Sequence, residues 1–127
     1  MKKTFISFYL KGYQIHVFVT ALKGIGSPRR ICFMLSPDGK FLLLLPHEKR
    51  DLRSHNVPEK VYQGSGDYRI SSYKLCHMLA EIHHWDLNST YRVPGTIHPE
   101  KNLVLFDLAA AWVIGTSSWC RSSRRRG

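Results

Sequence analysis

The residues best suited to chemistry are a cysteine and several histidines that share one predicted helix. Four of them lie close together in the chain: Cys76, His77, His83 and His84. Two metal ligands on one helix face need a spacing of three or four residues, and no pair in this group has it. A metal site would need ligands that the fold brings in from elsewhere, namely His47, His55 or His98. We therefore predict no metal site and no cofactor.

A catalytic pair of Cys76 and His83 meets the same geometric obstacle. Seven residues of helix correspond to a rise of roughly 10 Å, which is too far for direct proton transfer at about 3 Å. A structural free thiol at Cys76 fits the pattern better. The sequence thus names no catalytic residue, and we favour a protein that is not an enzyme.

Tyr91 and Arg92 keep one enzymatic alternative open. They begin a predicted strand that follows a helix ending in His83 and His84. Small toxin-like ribonucleases need no metal, because His, Arg, Lys and Tyr side chains can supply the acid, the base and the charge stabilisation for attack by a ribose 2′-hydroxyl. If the fold brings these side chains together, a metal-independent ribonuclease becomes the alternative reading.

The charge balance points to a polyanionic partner. The 127 residues include 19 Lys and Arg against 9 Asp and Glu, a formal net charge of +10. Four of the arginines lie beyond position 120, and without them the balance is still +6. A basic protein of this size suits a polyanion such as nucleic acid, or an anionic membrane surface. Three cysteines without a close pair and no apolar run of about 20 residues predict a cytoplasmic protein without a membrane partner.

The basic residues of the body lie at the ends of predicted elements, where they can form a surface. In the first part of the chain, Tyr13 lies among these basic residues. In the second part, one basic residue precedes the predicted main helix and another lies in its first turn. Such a surface can follow a phosphate backbone. The predicted nucleic-acid-binding residues are Lys11, Tyr13, Lys23, Arg29, Arg30, Arg69 and Lys74.

One dominant helix is predicted over residues 72–86. Ser71 and Ser72 can cap its first turn, because their hydroxyls accept free backbone N–H groups. An apolar stripe recurs at helical spacing and is expected to be buried: Leu75, Leu79, Ile82 and Trp85. The opposite face is expected to be exposed: Lys74, Glu81 and His84.

The rest of the chain predicts strands. Apolar or alternating runs occur at residues 4–10, 14–19, 31–35, 41–45, 68–70, 91–97 and 103–106. Residues 36–39 between two of these runs have the composition of a tight turn. Residues 108–114 fit either a last strand or a short helix, residues 47–66 resemble a linker, and residues 115–127 are expected to be a disordered basic tail.

The two parts of the chain show similar orders of elements. Residues 4–46 and 66–108 can each be described as strand, helix and hairpin, with a longer helix in the second part. Repeated units of this kind bury their apolar faces against each other. We predict an α+β fold of mostly antiparallel strands in two related strand-helix-hairpin halves, within a single compact domain spanning residues 1–114.

This order of elements resembles the AbrB-like swapped-hairpin family, and two units in one chain resemble its MraZ-type branch. The resemblance rests on Lys11-Gly12 before Gln14-Ile15, on Leu22-Lys23 with Gly26, and on the Asp38-Gly39 turn followed by residues 41–46. It implies bacterial regulators that assemble as dimers or rings and bind nucleic acid, DNA rather than RNA. Where the family has Gly-Arg in its first turn, this chain has Gly12-Tyr13, which removes one donor to phosphate or base.

These observations favour a nucleic-acid-binding module, either a bacterial transcription regulator or an antitoxin-like protein, that forms a homodimer. The alternatives are the small metal-independent ribonuclease and a protein-interaction domain without a role at nucleic acid.

Overall fold

The structure is a computed structural model that describes residues 2–64 and 67–116. Its strands are β1 (Lys3–Tyr9), β2 (Gln14–Phe18), β3 (Arg30–Leu35), β4 (Phe41–Pro46), β5 (His55–Asn56), β6 (Asp67–Ser71), β7 (Ser89–His98), β8 (Leu103–Asp107) and β9 (Trp112–Thr116). Its helices are α1 (Val19–Gly24) and α2 (Tyr73–His83), with 3-10 turns at Leu10–Gly12, Glu59–Gln63, Pro99–Lys101 and Leu108–Ala110. Within these described ranges every strand pairing is antiparallel, which confirms the predicted α+β class.

The strands form one sheet that nearly closes into a barrel. The order is β5-β3-β4-β8-β7-β1-β2-β6, and β9 pairs with β7 beside β8. The two ends of this order meet at a side chain: the Tyr68 hydroxyl of β6 donates a hydrogen bond of 2.7 Å to the Asn56 carbonyl of β5. Curling the sheet in this way leaves little open edge for unwanted pairing.

The core fills the inside of the curved sheet because the strands alternate. Ile15 and Val17 of β2 are fully buried, and the intervening His16 is not. The same two-residue period places Phe8 and Ile6 of β1 inside. One continuous cluster of buried residues therefore runs from β1 through β8 and receives the inner face of α2.

Helix α2 begins as predicted and ends earlier. The Ser72 hydroxyl accepts the Leu75 N–H at 3.2 Å, which is the predicted cap. His84 adopts a left-handed conformation with φ of 55°, which ends the helix before Trp85. The Trp85 N–H then turns back to the Ala80 carbonyl at 2.9 Å.

The predicted buried face of α2 is correct at Leu79 and wrong at Ile82. Leu79 is fully buried, but Ile82 is 42% exposed. The stripe that enters the core is rotated toward Cys76 and Ala80, both buried, so Ile82 lies at its margin near the turn at Gly39. Leu75 and Trp85 are half-buried against the core, while the three residues predicted to be exposed are exposed: Lys74, Glu81 and His84.

The predicted strands and the turn at residues 36–39 are all present. Residues 108–114 combine both predicted alternatives, since a 3-10 turn precedes β9. The region expected to resemble a linker contains β5 and the 3-10 turn Glu59–Gln63. The predicted disordered tail begins too early, because β9 extends to Thr116, and the remainder of the tail lies outside the described residues.

Candidate nucleic-acid interface

Four polar side chains form a row across four neighbouring strands. Arg92 of β7 pairs with Ser7 of β1, Ser7 pairs with His16 of β2, and His16 pairs with Arg69 of β6. Residues directly opposite each other in antiparallel strands project to the same face of the sheet. The apolar neighbours of these residues along each strand enter the core, so the row lies on the outer face. We call these four residues the basic row.

A second row runs parallel to the basic row, two residues further along β1. It consists of Thr90, Tyr9 and Gln14, which are paired in that order across β7, β1 and β2. Together the two rows and Ile114 of β9 line an open groove of about 320 Å³. Among the residues described as lining this groove there is no carboxylate. The groove is therefore suited to an anion.

Arg92 is held in a defined position within the groove. Its Nε donates a hydrogen bond of 3.2 Å to the Ser7 hydroxyl, and its guanidinium carbon lies 5.2 Å from the centre of the Phe18 ring. This bond uses one of the five N–H donors of arginine. The planar fork that remains matches the oxygens of a phosphate in a two-point contact.

The other members of the basic row differ in exposure. Ser7 is only 5% exposed, whereas Arg69 is exposed. The half-buried His16 ring stacks on Phe18 at 4.9 Å between centres, so Phe18 supports both His16 and Arg92. The groove thus has an arginine held by two contacts, Arg92, on one side and an exposed arginine, Arg69, on the other.

The predicted binding residues lie in three places. Arg69 belongs to the basic row. Lys11, Tyr13 and Lys74 lie near the junction of the β1–β2 turn and the first turn of α2, where the Tyr13 and Tyr73 rings meet at 4.7 Å. The Ser72 N–H also donates to the Tyr13 carbonyl at 2.9 Å, which fixes this junction.

The remaining three predicted residues lie beyond the other end of β2 or near β3. Lys23 is exposed on α1, which directly follows β2, so Lys11 and Lys23 lie at opposite ends of this strand. Arg29 lines a separate groove of about 540 Å³ together with Glu59. Arg30 donates from Nε to the Ser54 hydroxyl at 2.9 Å. The structure therefore brings the seven predicted residues together only in part.

Sequence reasoning missed Ser7, His16 and Arg92 as partners of Arg69. Their signal is the alternation of polar and apolar residues along each strand, which assigns them to an outer face. The local pattern does not give the order of the strands in the sheet, in which β1 lies between β2 and β7. That order, together with the register of each pairing, decides which outward residues become neighbours.

Of Tyr91 and Arg92, only Tyr91 lies near a histidine of the helix end, because its ring and that of His83 both stack on Trp85. Tyr91 and Arg92 are consecutive in β7 and project to opposite faces of the sheet, so Arg92 does not join them. The Tyr91 ring stacks on Trp85 at 4.7 Å, and its hydroxyl accepts the Asp86 N–H at 2.9 Å. His83 stacks on the same Trp85 and bonds through Nε2 to the Gly39 carbonyl at 2.8 Å. These aromatic residues support the end of α2, away from Arg92.

The two buried thiols are poorly suited to nucleophilic chemistry. Burial raises the pKa of Cys76 to about 11 and also raises the pKa of Cys32. The thiolate is the reactive form, and burial disfavours it. Within residues 2–64 and 67–116 no three His, Cys, Asp or Glu side chains are grouped to hold a metal ion. In the same part of the chain no helix has the length and apolar character needed to cross a bilayer.

Comparison of the chain with known protein families, curated proteins and solved structures gives no significant match. The geometry of the groove is therefore the basis for assigning a function.

Proposed function

We propose that the protein is a nucleic-acid-binding module that holds a phosphate backbone along the basic row. The observation that carries the proposal is the pair of arginines, Arg92 and Arg69, at the two ends of this row. Three strand spacings separate them, roughly 14 Å between their backbones. Two cations at this distance can bind different phosphates of the same polynucleotide, which gives the contact a direction across the strands.

The surroundings of the row favour an anion over a cation. The groove has two arginines, hydroxyl and amide groups and no described carboxylate. The net charge of the whole chain, +10, adds a long-range attraction that raises the rate of encounter with a polyanion. Lys11, Tyr13 and Lys74, at the β1–β2 turn, extend the proposed surface beyond the groove.

Pairings within the sheet support the proposal of two related halves. Leu35 lies opposite Leu42 in the β3–β4 hairpin, and Ile97 lies opposite Val104 in the β7–β8 hairpin. The sequence offset from Leu35 to Ile97 equals the offset from Leu42 to Val104. Leu43 and Leu105 have the same offset in sequence, and they lie opposite each other where β4 pairs with β8. This register supports the resemblance to the MraZ-type branch, and with it a role as a regulator or antitoxin-like protein.

One further correspondence links the repeat to the groove. Arg30 and Arg92 are also separated by this sequence offset, and each of these arginines donates from Nε to a serine hydroxyl.

We include a homodimer in the proposal, and light scattering of the purified protein measures its mass directly.

The test is binding of labelled DNA and RNA over a series of salt concentrations, followed by fluorescence anisotropy. Replacing both Arg69 and Arg92 with Ala should weaken binding at least tenfold and flatten the salt dependence by about 0.7 to 0.9 per lost phosphate contact. The matched control replaces Lys49 and Lys101 with Ala. Both lysines are exposed outside the groove, and their replacement removes the same amount of positive charge. Equal weakening by the two double variants would overturn the proposal.

A metal-independent ribonuclease is the second candidate, because His16 lies between Ser7 and Arg69 in the basic row. A histidine beside arginines can serve as a base next to groups that stabilise charge. Incubation of RNA with the protein in EDTA separates the candidates. Cleavage that is lost in His16→Asn, with binding retained, would favour the ribonuclease, and intact RNA would favour the binding module.

A further inference from the structure

We propose that the groove takes a single-stranded polynucleotide, with its phosphates along the basic row and a base stacked on Tyr9. This inference rests on the proposed function and specifies its ligand. Three features support it: the width of the strand face, the side chains of the second row, and the separation of the two rows.

The face that carries the groove is too broad to enter duplex DNA. All eight lining residues belong to strands, and the basic row spans β7, β1, β2 and β6. Its outer strands are roughly 14 Å apart before their side chains are added. The major groove of B-DNA is about 12 Å wide and admits a helix or a two-stranded ribbon. A four-stranded face can approach a duplex only from outside, so it can read only the backbone there.

The second row offers what unpaired bases need. Tyr9 is 47% exposed, and it lies between Thr90 and Gln14, whose side chains can donate and accept hydrogen bonds. An exposed aromatic ring in a positively charged groove is the usual platform for a base of a single strand, because every base has a face that can stack. In a duplex those faces are already stacked on neighbouring base pairs.

The separation of the rows matches the ligand. Tyr9 lies two residues beyond Ser7 on β1, which is about 7 Å along the strand. In a nucleotide the sugar separates the phosphate from the base, so a backbone that follows the basic row places its bases over the second row. The exposed Ile114 of β9 borders the groove and offers apolar contact to a neighbouring base.

The experiment compares a labelled 12-nucleotide single strand, as DNA and as RNA, with the duplex of the same sequence. The single strand should bind about tenfold more tightly than the duplex. Tyr9→Ala should weaken single-strand binding about tenfold, and Tyr9→Phe should restore it, because the ring rather than the hydroxyl makes the contact. The matched control is Met34→Ala, which removes another exposed large side chain, 55% exposed, on β3 outside the groove. Circular dichroism confirms that each variant is folded.

The outcomes separate this inference from the proposed function. If the duplex binds as tightly as the single strand, or Tyr9→Ala has no effect while Arg69 and Arg92 remain necessary, the single-strand inference is overturned and the proposed function stands. If no nucleic acid binds, or the arginine variants bind like the parent, the proposed function falls and the inference falls with it.

Discussion

The hydroxyl of Tyr68 and the carbonyl of Asn56 join the two ends of the sheet through a hydrogen bond of 2.7 Å. Tyr68 is otherwise buried in the core, and burial raises the pKa of its phenol, so the hydroxyl stays protonated and donates. This bond joins β5 and β6, for which the described residues show no backbone pairing.

Tyr68→Phe should therefore loosen the seam without removing a core side chain. We expect a loss of about 1 kcal/mol in the free energy of unfolding, measured by urea titration. Amide hydrogen exchange should accelerate in β5 more than in β1 and β7. Tyr73→Phe is the matched control, since its ring lies on the exposed side of α2. A loss of the same size in the control would contradict the role of the seam.

Leu79 and Ile82 provide a matched pair on the same helix. Leu79 is fully buried and Ile82 is 42% exposed. Leu79→Ala should cost about 2–5 kcal/mol in the free energy of unfolding, because it leaves a cavity in the core. Ile82→Ala should cost much less, since water already reaches the site. Similar losses in both variants would show that the inner face of α2 is assigned incorrectly.

Gly95 of β7 is required by its neighbour across the hairpin. A Cβ added at Gly95 would lie 2.5 Å from a ring carbon of Phe106, which is fully buried and has little room to move. Gly95→Ala should destabilise the protein by about 1–3 kcal/mol, as overpacking of a core does. In a Phe106→Leu background the same substitution should cost less. Additive losses in this double-mutant cycle would argue against the contact.

The buried thiol of Cys76 gives a prediction about pH. Its pKa is raised from an ordinary value of 9.0 to about 11 by burial. The unfolded chain releases this proton near pH 9, whereas the folded protein retains it, so the free energy of unfolding should fall as the pH rises from 9 toward 11. Cys76→Ala should show a smaller decrease over this range than the parent protein.

The same burial should protect Cys76 from alkylation. Treatment with iodoacetamide at pH 8 followed by peptide mapping should leave Cys76 unmodified in the folded protein and modify it in 8 M urea as a control. Rapid labelling of Cys76 in the folded state would contradict its burial.

Periodicity predicted the elements well, because the period of a helix or strand is a local property. The main helix, observed at Tyr73–His83 within the predicted 72–86, and the two strands that flank the turn at Asp38 and Gly39 follow from such periods. Periodicity did not predict the rotation of α2 that exposes Ile82. This rotation arises because Cys76 and Ala80 are small enough to let the helix approach the sheet on that side. Such a choice depends on the shape of the surface opposite the helix.

The candidate site was predicted only at Arg69. The other members of the basic row come from β1, β2 and β7, which are adjacent in the sheet although β7 is distant in sequence. The resemblance to swapped-hairpin proteins predicted a nucleic-acid contact at the turn Gly12-Tyr13. The groove lies instead on the adjoining face of the strands.

Strand β9 has a consequence for the groove beside it. Ile114 of this strand lines the groove, and Trp112 of the same strand lies opposite Arg92 of β7. A substitution that weakens the pairing of β9 with β7 therefore also changes the support of Arg92. Its effect on the free energy of unfolding and its effect on affinity should not be independent.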